Sequence, residues 1–254
     1  MLNAVEFKAK IKQGIIEIPE EYQQDLREDS EVQVIVIKQT TTRTNSELKN
    51  QEIIDDLTVH SDGSGTFKYS INLSSSKLKV NSILALDSLN GRKVPELSQI
   101  EAKILEFRTN LAKESGINLV KTDFNSTDFI LKIQIDFSSV SQLQNGVKSV
   151  LQVMSKEKDK EAFEGDWISW DGKTLNRIIP TILANKAKSF ENSDVDLLKN
   201  GTYTSISRFD KPISKTSNTN CKLNPTKTAS MLQVNTYDLK LNNSLIENTI
   251  TLTP

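Results

Sequence analysis

The chain is poor in the residues that build cross-linked or metal-dependent proteins. Its 254 residues include one cysteine, Cys221, and one histidine, His60. A lone cysteine excludes an intramolecular disulfide framework, and a lone histidine excludes a multi-histidine metal site and leaves little for histidine-based catalysis. No metal or cofactor is expected. Long apolar runs are missing too, since no window approaches the roughly 18 uninterrupted apolar residues of a transmembrane helix. The first residues, MLNAVEFKAKIK, alternate apolar and polar instead of joining a basic stretch to an apolar run, so as written they are not a signal peptide, and a cytoplasmic location is the expectation. An excess of one charge sign is also missing. With 32 basic and 33 acidic residues the net charge is −1, which argues against one broad basic surface for nucleic acid. That balance hides a division: residues 1–57 hold 7 basic and 12 acidic side chains (net −5), and residues 58–254 hold 25 and 21 (net +4). At this length one or two domains are expected, with a core large enough to need no staples.

What is present begins with a small module. Val5, Phe7, Ala9 and Ile11 alternate with Glu6, Lys8, Lys10 and Lys12, the period of a half-buried strand. Gln13-Gly14 is a turn signal, and Ile15, Ile16 and Ile18 make a second strand. Pro19 followed by Glu20 and Glu21 opens a short helix over 20–27. Val32, Val34 and Val36 form a third strand. Some 40 residues in a β-β-α-β order bury too little apolar surface alone, so the unit needs a second copy or the rest of the chain. The run VEFKAKIKQGIIEIPEEYQQDLREDSEVQVIVI resembles the AbrB/MazE-type swapped-hairpin antitoxin module over residues 1–38. That resemblance implies a homodimer of interleaved hairpins and DNA contact through Lys8, Lys10 and Lys12, with Arg27 a further candidate. Glu17, Glu20 and Glu21 stand where DNA binders are often basic, and a segment of net −5 supplies little of the clustered positive charge that phosphates require. Two readings of the lysines therefore stand, a DNA contact and the solvated face of an amphipathic strand.

Residues 39–51 read as a polar linker, and 52–254 as a larger α+β domain. The stretch 51–57 fits a short helix or the lead-in to a strand. Asp62-Gly63-Ser64-Gly65, followed by Phe67, Tyr69, Ile71 and Leu73 in alternation, predicts a hairpin. Ser98 and Glu101 are spaced as a capping box for a helix carrying Leu97, Ile100, Ile104, Phe107 and Leu111, closed by Gly116. A second hairpin turns at Asn125-Ser126-Thr127, and a second helix carries Val140, Leu143, Val147, Val150 and Met154. Two hairpin-then-helix units predict an antiparallel sheet with both amphipathic helices on one face. Beyond residue 156 the pattern is mostly β: a hairpin at Asp171-Gly172 whose returning strand ends at Ile178-Ile179, a helical segment near 181–190, a turn at Asn200-Gly201, and a last strand with Ile246, Ile250 and Leu252. In residues 201–230, 14 of 30 are Ser, Thr or Asn, the composition of loops and edge strands.

LTVHSDGSGTFKYSINLS, WISWDGKTLNRIIP, TYTSISRFDKPISKTSN and SLIENTITL together resemble a group of Bacteroidetes lipoproteins of unknown function. The resemblance implies an exported, lipid-anchored domain, although Cys221 in NTNCKL lacks the small apolar neighbours of a lipobox. The joining of an antitoxin-like front to an exported domain reads as a fusion. Candidate chemistry is thin. His60 near Asp62 and Ser64 is expected to be a strand histidine and not part of a triad. Glu161, Glu164, Asp166 and Asp171 around Trp167 and Trp170 admit a sugar site only if two carboxylates face one cleft. The expectation is therefore a non-enzymatic binding or scaffolding protein that dimerises through its first residues and has no catalytic residues. The alternatives are a DNA-binding antitoxin-type regulator and a carbohydrate-active enzyme.

Overall fold

The computed structural model describes residues 11–12, 15–16, 51–89, 92–154, 165–178 and 199–254, the first two pairs by backbone alone. Strands β1 (Ile11–Lys12) and β2 (Ile15–Ile16) pair antiparallel with Ile11 opposite Ile16, which is the hairpin expected around Gln13-Gly14. The remainder of the 1–38 module, the linker before residue 51 and the 181–190 helix lie outside the described residues.

Strand β3 (Gln51–Val59) resolves the ambiguity at 51–57. Alternation places Asp55, Leu57 and Val59 on one face, all within 2% of full burial, and Glu52, Ile54, Asp56 and Thr58 on the other. The DGSG turn follows: Gly63 has φ +85° and Ser64 N–H donates to Asp62 Oδ1 at 2.9 Å. Strand β4 (Gly65–Asn72) returns antiparallel, with Val59 opposite Gly65. Any Cβ on Gly65 would stand 2.0 Å from the Thr58 carbonyl oxygen, so this approach needs glycine. The polar stretch beyond it holds a helix that periodicity did not reveal, α1 (Lys77–Leu84), none of whose residues is buried. A small hairpin of β5 (Ser88–Leu89) and β6 (Arg92–Lys93) comes next.

Helix α2 (Leu97–Leu111) starts two residues earlier than a Ser98 cap would place it. Its N-cap is Glu96, whose N–H donates to Gln99 Oε1 at 3.2 Å, so the reciprocal pair is Glu96–Gln99 and not Ser98–Glu101. Strands β7 (Ile117–Asn125) and β8 (Ile130–Phe137) form the expected second hairpin, and helix α3 (Val140–Met154) buries Val140, Leu143 and Val150. Strands β9 (Ile168–Trp170) and β10 (Thr174–Arg177) turn at Asp171-Gly172, with β10 ending at Arg177, short of the expected Ile178-Ile179. Strand β11 (Gly201–Phe209) begins at Gly201, which belongs to the strand and not to the turn: a Cβ there would meet Thr236 Oγ1 at 2.4 Å. The chain closes with β12 (Ile213–Thr216), β13 (Lys222–Leu223), β14 (Ala229–Asn235), α4 (Thr236–Leu241), a 3-10 turn Asn243–Ile246, and β15 (Asn248–Leu252). Ile246 thus precedes the last strand.

Seven strands form one sheet in the order β13-β14-β11-β3-β4-β8-β7, and four form a second in the order β12-β15-β10-β9. The large sheet is mixed, not wholly antiparallel, because β11 pairs parallel to β3 from Gly201–Gln51 to Phe209–Val59. Strand β11 is therefore an interior strand, despite its Ser- and Thr-rich composition. Leu111, Phe137, Val140 and Leu143 share one core with Leu57, Val59, Ile168, Leu175 and Ile250. Both helices and the small sheet thus cover one face of the large sheet, an α+β layer arrangement. The opposite face carries Asp56, Lys68, Lys132 and Arg208, as expected for a face turned to water.

Candidate ligand-binding site

The inner face is covered unevenly. Register places Ile133 of β8 beside Tyr69 of β4, Tyr69 beside Asp55 of β3, and Asp55 beside Ser205 of β11, all pointing the same way. The adjacent row is Leu131, Ile71, Ile53 and Tyr203. Ile53, Ile71, Leu131 and Ile133 are only half-buried. Helix α2 stands over the β7 and β8 side, and between it and the strands runs a groove of about 720 Å³. Its floor is Leu131 and Ile133, and its wall is Ile100, Ile104 and Phe107. The helical stripe that the sequence displayed therefore has two duties: Leu111 enters the core, while Ile100 and Ile104 line the groove.

Beyond Tyr69 the inner face of the sheet becomes ionic. Arg177, at the end of β10, reaches across from the small sheet so that its guanidinium NH1 lies 2.8 Å from Asp55 Oδ1 and 2.9 Å from Ser205 Oγ. Ser205 Oγ donates to Asp55 Oδ1 at 3.0 Å, and the Tyr203 hydroxyl donates to Asp55 Oδ2. The Asp55 and Arg177 side chains are 3% and 10% exposed. Burial, and then the charge of Asp55, push the Tyr69 hydroxyl up to about 12. Tyr203 is raised well above its ordinary value for the same two reasons in the same order. Burial works against the Arg177 charge, but Asp55 beside it outweighs that and raises its pKa. Sequence reading passed over this cluster. The available signal was parity: Asp55 is in phase with Leu57 and Val59, and Arg177 with Leu175, so both charges fall on buried faces and each requires a partner.

The residues that were singled out lie elsewhere. Lys12 sits in β1 opposite Ile15, and Lys8, Lys10 and Arg27 are outside the described residues. His60 follows β3 and is half exposed, with Nδ1 3.1 Å from Asp210 Oδ1; Asp210 also accepts the Ser61 N–H at 2.9 Å. The side-chain partner of His60 is thus 150 residues away, while its backbone N–H donates to the Ser64 carbonyl at 2.8 Å within the turn. Trp167 packs against Phe67, and Trp170 stacks on Phe209 at 6.0 Å. Asp166 accepts from Gln144 Nε2 at 3.0 Å, and Asp171 closes its own turn by accepting from Lys173 and Thr174 N–H. Neither carboxylate is among the residues lining the groove or the cleft beside Arg177. Glu161 and Glu164 are outside the described residues. A second cleft, of about 410 Å³, lies beside Arg177, Asn218 and Asn248. Its amides hold the fold together: Asn218 Nδ2 donates to the Leu245 and Glu247 carbonyls, and Asn248 Oδ1 accepts the Asn218 N–H. Cys221 is half-buried, with Sγ 3.5 Å from Asn248 Nδ2.

No family model and no curated protein matches this chain. Among solved structures, the NMR structure of the folded domain of the Mycobacterium tuberculosis LppM protein aligns with 84% of this chain and 96% of that one, at 9% identity and a TM-score of 0.36. No helix among the described residues is long and apolar enough to cross a membrane.

Proposed function

We propose that residues 51–254 form a non-enzymatic binding module whose ligand lies in the groove between α2 and the inner face of the large sheet. The observation that carries this reading is the groove itself. Its volume falls within the roughly 300–1,000 Å³ of small-molecule sites, and its lining of Ile100, Ile104, Phe107, Leu131 and Ile133, with Gln99, Lys103 and Glu106 as the polar groups, matches their composition. Binding is favoured over catalysis because the buried carboxylate on the same sheet face, Asp55, is already engaged by Arg177, Ser205 and Tyr203. An uncharged fluorescent probe, N-phenylnaphthylamine, tests the reading by titration against the full chain. Saturable binding that Ile133→Asp abolishes, with unchanged circular dichroism, is expected. Equal binding to wild type and variant would overturn the groove as the site.

In the same reading residues 1–38 serve to pair two chains, and DNA is not their ligand. Their resemblance to the swapped-hairpin module and the net −5 of residues 1–57 support this. Light scattering on the full chain should return twice 28.5 kDa. A monomeric mass, or a salt-dependent DNA shift lost on charge reversal at Lys8, Lys10 and Lys12, would overturn it.

A further inference from the structure

The chain between β4 and α2 borders the open mouth of the groove. Ser76 Oγ accepts from the side-chain amide of Gln51, the first residue of β3, and Lys77 Nζ lies 3.1 Å from Asp128 Oδ1 in the β7–β8 turn. The Leu73 N–H donates to the Phe129 carbonyl at 3.1 Å, one residue before β8 begins. The start of α1 therefore bridges the open ends of β3 and β8, and β8 carries the groove floor, Leu131 and Ile133. At its far end the same chain reaches Pro95, which lines the groove where the α2 wall begins.

This connection has the composition of a packed element without the burial. Residues 73–89 include seven leucine, isoleucine and valine side chains, and none of them is buried. At about 3.6 residues per turn, Val80, Ile83 and Leu84 fall on one side of α1 and Leu78 on the other. The first three are half-buried, and Leu78 is 67% exposed. Apolar residues around the whole girth of a helix belong to an enclosed setting, and α1 is not enclosed. Its attachment is light as well. The Lys77–Asp128 pair is 39% and 45% exposed and contributes little, and an element without buried side chains is among the first parts of a fold to open.

Resting on the groove as the binding site, we infer that α1 is its lid, with the 3-10 turn Ser74–Ser76 as the hinge. When a ligand fills the groove, α1 moves inward and sets Leu78 against it. Closure covers the ligand and Leu78 together, so α1 contributes to affinity although none of its residues lines the empty groove.

Titration of N-phenylnaphthylamine against the full chain carrying Leu78→Gln tests this. Glutamine keeps the helix propensity of leucine, and position 78 is mostly exposed, so the urea midpoint of the free chain is expected to stay unchanged. The probe's Kd is expected to rise about tenfold, the effect of no longer covering a leucine. Hydrogen exchange on wild-type protein needs no variant: the amides of 77–84 are expected to exchange about tenfold more slowly with saturating probe than without it. Unchanged affinity in Leu78→Gln, or equal exchange of α1 with and without probe, would overturn the lid and leave the groove in place where Ile133→Asp still abolishes binding. A probe that binds Ile133→Asp as tightly as wild type would overturn the groove reading itself.

Discussion

At the end of the inner face where Leu57, Val59 and Phe137 lie, two helices and the small sheet close over the pleats, and these side chains are at most 1% exposed. At the end where Ile53, Ile71 and Leu131 lie, the same strands carry half-buried aliphatic residues and, between them and the small sheet, a buried ion pair. Hydrophobicity does not separate the two ends, since each carries apolar side chains on this face. Coverage does. Leu111 at the last turn of α2 is fully buried, whereas Ile100 and Ile104, one and two turns from its start, line open space. The closed end holds the fold together, and the open end is left as surface that a ligand can cover.

The closed end should break first and hardest. Phe137→Ala empties a fully buried aromatic site and is expected to cost about 3–5 kcal/mol in urea unfolding. A loss below about 1 kcal/mol would mean that this end is looser than its burial implies. Next is the ion pair that joins the sheets. Arg177→Met strands the Asp55 charge and should cost about 3 kcal/mol, while Arg177→Met combined with Asp55→Leu should recover most of it. If the double variant is as unstable as the single one, the pair is not what binds the small sheet to the large one. Tyr203→Phe removes one donor to a carboxylate that keeps two others, and about 1–2 kcal/mol is expected by the same measurement. The smallest effect belongs to neither end. The Ser61 N–H, and then His60, hold the Asp210 carboxyl below its ordinary range. A carboxyl lowered on folding contributes stability that is present above its unfolded value of about 3.9 and lost as pH falls through the folded one. Asp210→Asn should therefore lessen the fall in urea midpoint on acidification below about pH 4 and leave the neutral midpoint slightly lower. An unaltered acid profile would show that this half-exposed carboxylate is screened.

Much of this architecture could be read before folding was considered. The hairpins at Asp62-Gly63, Asn125-Ser126-Thr127 and Asp171-Gly172 were legible because turn chemistry and alternation are local, and α2 and α3 because their apolar stripes recur every three or four residues. The β3–β11 pairing was not legible. Its partners are 150 residues apart, and parallel strands leave no turn signature between them. Helix α1 escaped because it buries none of its residues and so carries no stripe. For the site, Ile100, Ile104 and Phe107 were recognised as an apolar face, but periodicity does not tell a face that meets the core from one that stops short of it. Asp55 and Arg177 each stood in the phase of a buried strand, yet which charge would meet which depends on how two sheets stack, and that has no local signal.

The parallel pairing also orders assembly in time. Strands β3, β4, β7 and β8 with their two helices are complete once residue 154 has been synthesised, and their contacts are close in sequence. Strand β11 arrives some 50 residues later. Until then β3, an interior strand of the finished protein, is the free border of a four-stranded half sheet, the kind of edge on which nascent chains stick to one another. It carries adjacent carboxylates on its two faces, Asp55 and Asp56. In the finished protein these residues hold Arg177 and Arg208. On the ribosome, before either arginine has been added, the same two charges keep the border from recruiting a neighbour.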